Sequence, residues 1–125
     1  MSQDRIVGER LVLAVRTTRF SEFRSPEGAL LLFEIASRCT SFGRLCTQLA
    51  QMPGVVFADA VRPVKYNGPA RFSYKGTEYE VSMPHADYRI GPVDLASAPA
   101  HTDELLTYVR EHVAPRPVPV TREII

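Results

Sequence analysis

Residues 26–52, PEGALLLFEIASRCTSFGRLCTQLAQM, constrain the chain most, because their reading decides how every other segment can be arranged. Leu32, Ile35, Cys39, Phe42, Cys46 and Leu49 recur at steps of three and four, the spacing that lines residues along one side of an α-helix. Ala29, Ala36, Gly43 and Ala50 form a parallel line of small residues that another element could approach closely. Ser25 suits an N-cap, Pro26 the first helical position, and Glu27 the positive end of the helix dipole. Together these features predict one long helix, with a break allowed near Thr40-Ser41, lying across a sheet. A second reading uses the same letters. Ser25-Pro26-Glu27-Gly28 also fits a type I turn, after which residues 29–36 would form a strand paired with the segment before the turn. The seven-residue register running on to Leu49 favours the helix.

The remaining segments read mostly as strands. Residues 10–20 (RLVLAVRTTRF) are rich in β-branched side chains and apolar on both faces, which suits a central strand, while the residues before Gly8 look irregular. Residues 55–61 begin a second strand that Pro63 marks as an edge or a bulge, and Asn67-Gly68 signals a hairpin. Residues 70–74 and 77–83 flank Lys75-Gly76, a two-residue turn. That turn pairs Tyr74 with Thr77, Phe72 with Tyr79 and Ala70 with Val81 on an inward face, and sets Arg71 opposite Glu80 and Ser73 opposite Glu78 outward. After an irregular stretch with a short strand around Tyr88 and Ile90, Thr102 caps a second helix whose apolar side is Leu105, Leu106, Val109 and Val113. Residues 115–125 (PRPVPVTREII) read as an extended Pro-rich tail. The predicted architecture is a single α+β domain over residues 1–114. Its antiparallel sheet has about four strands, an N-terminal strand plus a three-stranded meander. A long helix covers one face, and a short helix follows near the C-terminus.

Composition narrows the function classes without choosing one. A length of 125 residues supports one domain with its own core, and a net charge of +1 gives no field that would favour nucleic acid or an anionic membrane. No apolar run approaches the length needed to cross a bilayer. Cys39 and Cys46 would lie about 10 Å apart on a helix, too far for a disulfide. With no apolar export-signal core near the start, the expected location is a reducing cytoplasm.

The one repeated polar pattern is His85-Ala86-Asp87 and His101-Thr102-Asp103, which could offer two imidazoles and two carboxylates to a divalent ion or to acid/base chemistry. Each pair also has an ordinary role, Asp103 at a helix start and His85 with Asp87 in a loop. The expectation is therefore no metal, no cofactor and no catalytic residue. Neither a Gly-x-Ser-x-Gly elbow nor a glycine-rich phosphate loop occurs. Tyr66, Tyr74, Tyr79 and Tyr88 gather in and around the meander and are the candidate binding residues. The leading functional expectation is a non-enzymatic module that binds another protein, as an adaptor or an inhibitor, with self-association through the tail or a sheet edge as a further option. Second is a small enzyme or ligand-binding domain with a pocket between helix and sheet, using His85, Asp87 and His101. Nucleic-acid binding through Arg16, Arg19 and Arg24 ranks third.

Overall fold

The computed structural model describes residues 4–7, 10–16, 19–58, 69–95 and 101–113, with side chains from residue 19 onward. Among the described residues eight strands form one sheet: β1 (Asp4–Val7), β2 (Arg10–Arg16), β3 (Phe20–Arg24), β4 (Leu30–Ile35), β5 (Val55–Phe57), β6 (Ala70–Tyr74), β7 (Thr77–Ser82) and β8 (Tyr88–Pro92). Their lateral order is β1-β2-β3-β4-β8-β7-β6-β5, so two meanders meet where β4 pairs with β8. Every pairing is antiparallel. Side chains are described for six of these strands, β3 to β8. Two helices, α1 (Phe42–Ala50) and α2 (Thr102–His112), pack their apolar sides into the same core.

This corrects the expected fold at its centre. The long helix over residues 26–52 does not exist, and the sheet is larger than the four strands read from sequence. The turn at Pro26-Glu27 returns the chain antiparallel to β3. The Gly28 amide donates to the Ser25 carbonyl at 2.9 Å, and the Ser25 amide donates to the Ala29 carbonyl at 2.9 Å. Gly28 has φ +93°, a conformation that costs a glycine little and that a helix could not contain. All six residues of β4 are buried, as befits a strand covered on both sides. Leu31 is the extra residue of a β-bulge, because Phe23 faces Leu32 while Arg24 faces Leu30. The bulge returns Leu30 to the face of Phe33 and Ile35, leaving Leu31 and Leu32 to pack with Phe23 and Leu95 on the other.

The chain leaves β4 through a 3-10 turn, Ser37–Cys39, and is extended at Thr40 (φ −165°, ψ 170°). Ser41 then caps α1 with its hydroxyl, which accepts from the Arg44 amide at 3.1 Å. The predicted stripe therefore joined Leu32 and Ile35, which lie on opposite faces of a strand, to the buried side of a separate helix, where Phe42, Cys46 and Leu49 sit. Two more strand expectations change. Asp4–Val7 pairs with β2 where an irregular start was expected, and residues 10–20 divide into β2 and the first residue of β3. The strand beginning at Val55 ends at Phe57, with residues 59–61 outside the described part.

The hairpin of β6 and β7 has the expected register throughout, from Ala70 opposite Val81 to Tyr74 opposite Thr77. Its Lys75-Gly76 turn places both residues at positive φ, 51° and 83°, as a two-residue turn that follows the strand twist requires. Inward, Phe72 stacks on Tyr79 at 5.5 Å between centroids and packs on Phe57 at 5.0 Å. Over this face the Tyr108 hydroxyl of α2 donates to the Gln48 carbonyl of α1 at 3.1 Å, tying the helices together. Arg110 reaches Glu22 of β3 at 2.6 Å and lies over the Phe20 ring.

Candidate functional site

Where α2 begins, it meets the β6–β7 turn in a cluster of titratable side chains. The Tyr74 hydroxyl donates to Glu104 Oε1 at 2.6 Å, and Lys75 Nζ donates to the same oxygen at 3.0 Å. His101 Nδ1 lies 3.5 Å from Glu104 Oε2, outside hydrogen-bond geometry, and its ring meets Tyr74 edge-on at 5.9 Å. The Tyr79 hydroxyl pairs with Thr102 Oγ1 at 3.2 Å. Thr102 is thus fully buried against the hairpin instead of capping the helix with its side chain; His101 holds the cap position. The tyrosine hydroxyl and the lysine ammonium hold the Glu104 carboxyl down at about 2, and the Glu104 hydrogen bond in turn raises Tyr74 and Lys75. A carboxylate stabilised in its ionised form by two donors is a poor general base. The cluster is a latch between α2 and the hairpin.

The two His-x-Asp pairs are not brought together. His101 and Asp103 lie at the end of the sheet that carries the Lys75-Gly76 turn, where Asp103 meets Arg24 at 3.3 Å. His85 and Asp87 follow β7 at the opposite end, and a strand of six residues spans roughly 17 Å. Asp87 accepts from the Ser37 amide at 3.3 Å, securing the 3-10 turn, and His85 is exposed. Among the described residues no group of three or more His, Cys, Asp or Glu side chains is placed to hold a metal ion. Cys39 and Cys46 are free thiols, and burial pushes the Cys46 thiol up to about 12.

Of the candidate tyrosines, Tyr74, Tyr79 and Tyr88 are buried, so their rings belong to the core; Tyr66 falls outside the described residues. Burial raises Tyr79 and Tyr88 in pKa. Of the three arginines, Arg24 is engaged with Glu22 and Asp103, the side chain of Arg16 lies outside the described part, and Arg19 has a partner. The tail, residues 115–125, is likewise outside it.

Sequence reasoning missed the feature that is most open. On the sheet face away from the helices, Val56, Ser73 and Glu78 form one cross-strand row, and Val93 continues it by donating its amide to the Glu78 carbonyl at 2.9 Å. Val56 is 64% exposed and Val93 38%, the two large exposed hydrophobics among the described residues. Val56 lies on β5, the last in order of the strands among the described residues, beside an open depression of about 410 Å³. Phe57, Ala58, Ser73, Thr77 and Glu78 contribute to its lining. Pro63 pointed to an edge strand, but nothing in the local pattern distinguished exposed Val56 from buried Val55. No family model, curated protein or solved structure matches the chain, and no helix among the described residues is long and apolar enough to cross a membrane.

Proposed function

We propose that the protein is a non-enzymatic module that binds another protein, and that its working surface is the β5 edge with the adjoining outer face of β6 and β7. The observation that carries this reading is Val56, an apolar side chain 64% exposed on the outermost of the described strands and bordered by a depression. A large hydrophobic at a sheet edge invites unwanted pairing unless it has a use, and charged or inward-pointing residues are the common means of blunting such an edge. Ser73 and Glu78 beside it supply the polar rim expected of an interface that must also stay hydrated when free. The enzyme reading loses its support because His85 and Asp87 stand a strand's length from His101, and Glu104 is committed to the latch.

The test compares tagged wild-type protein with Val56→Arg in retrieving partners from its own cells. Arginine at an exposed edge position should leave the melting temperature within about 2–3 °C, since surface changes rarely alter stability by more than about 0.5 kcal/mol. The expected result is a specific protein retained by the wild type and lost by the variant. Retention of the same protein by both would place the working surface elsewhere.

A further inference from the structure

Resting on that reading, we infer that the partner binds as an extended strand, adding to the sheet beside β5 through the outward backbone groups of Val55 and Phe57. The ladder itself fixes which groups those are. In an antiparallel pair, residues alternate between those that exchange hydrogen bonds with the neighbour and those whose N–H and C=O point away. The two-residue turn at Lys75-Gly76 makes Tyr74 and Phe72 the β6 residues bonded to β7, so Ser73 and Arg71 are bonded to β5. Their opposites are Val56 and Ala58, and the Ala58 amide does donate to the Arg71 carbonyl at 2.9 Å.

Val55 and Phe57 therefore turn their backbone groups outward from the sheet. The Val55 amide is used within the turn from α1, donating to the Met52 carbonyl at 3.1 Å. Among the described residues, that leaves the Val55 carbonyl and both the amide and carbonyl of Phe57 along the edge. An incoming strand meets these three groups with its own backbone, and this is recognition by main chain. One of its side chains falls beside Val56 on the outer face, where a β-branched residue extends the row and partly covers the depression. Side-chain sequence is otherwise read weakly, so the partner is defined by an exposed extended segment with alternating apolar and polar residues. Glu78, exposed on the depression wall, disfavours acidic residues at the outward positions.

The test uses a capped Thr-Val-Thr-Val-Thr peptide, titrated to millimolar concentration into the full-length isotope-labelled protein and followed by amide NMR. Strand addition is expected to shift the Phe57 amide most and to slow its solvent exchange at least several-fold. The Val56 amide, already bonded to β6, should keep its exchange rate. The same peptide methylated on alternate backbone nitrogens should have no effect. Absent or scattered shifts, or equal effects of both peptides, overturn the inference. If Val56→Arg abolishes partner recovery while the peptide leaves Phe57 untouched, the surface reading survives and strand addition falls. A dimer that forms with rising protein concentration and protects Phe57 without peptide would make the occupant a second copy of the chain, also overturning the proposal.

Discussion

Replacing Gly91 by alanine should destabilise the protein, and the sign of the effect discriminates between two ways of folding residues 26–52. A Cβ built on Gly91 would sit 2.7 Å from Leu32 Cβ and 3.6 Å from its Cα. The offending atom belongs to the first carbon of a side chain in the middle of β4, so it moves only if the backbone moves. Leu32 is 3% exposed, leaving no free space into which the strand could shift. Ordinary gains run the other way: Gly91 has no positive φ, and alanine at such a site stabilises by about 0.4–1 kcal/mol through the unfolded chain. Overpacking of one atom against a fixed neighbour costs about 1–3 kcal/mol. Subtracting that gain leaves a net loss of up to about 2.6 kcal/mol, which for a chain of this size is a fall in melting temperature of up to roughly 10 °C. Calorimetry or circular dichroism would measure it, with Leu32→Gly, which removes the opposing Cβ, completing a double-mutant cycle. The cycle should show the alanine penalty shrinking on the glycine background. If Gly91→Ala raises the melting temperature, β4 and β8 are not neighbours at this point and the strand account of residues 30–35 is wrong.

Other expectations follow from particular contacts. Glu104 titrates well below its ordinary value in the folded chain, so its contribution is complete above about pH 4.5 and disappears as pH falls toward 2. Denaturation midpoints against pH should therefore converge for wild type and Glu104→Gln in strong acid and separate above pH 4.5; parallel curves would refute the latch. Arg89 holds Glu34 with two nitrogens, at 2.9 and 2.7 Å, and the carboxylate side chain is only 9% exposed. Arg89→Met alone should cost about 3–5 kcal/mol by stranding that charge, whereas pairing it with Glu34→Leu should recover most of the loss. A chemical denaturation series on the three variants would show whether the double change is as damaging as the single. Thiol labelling of native protein should proceed at Cys39 and be limited by unfolding at buried Cys46, so equal rates would contradict the packing of α1.

What could be read from the sequence was what local chemistry decides. In the β6–β7 hairpin, turn and alternation agree, so strand length, register and inward face all followed from residues 70–82. For α2, the apolar spacing of Leu105, Leu106, Val109 and Val113 was sufficient. The segment from Pro26 to Met52 failed because two different periods are joined end to end. Leu32 and Ile35, on opposite faces of a bulged strand, precede Phe42, Cys46 and Leu49 of a helix at distances that imitate one repeat. The letters that resist a helix, Gly28 with its positive φ and Thr40-Ser41 at the cap, were visible but outweighed by that repeat. The latch and the open edge were hidden for another reason. Lys75 and Glu104 meet across 29 residues, and Val56 differs from Val55 only in which way the sheet turns it.

The proposed binding surface is tested most directly by hydrogen–deuterium exchange of the full-length chain, free and bound to any protein that it specifically retains. Binding at the β5 edge should slow exchange over residues 55–58, led by Phe57, with smaller effects across the outer face at Ser73 and Glu78 and none along α1 or α2. Protection centred on the helices, or at the Tyr74–Glu104 latch with residues 55–58 unchanged, would contradict it.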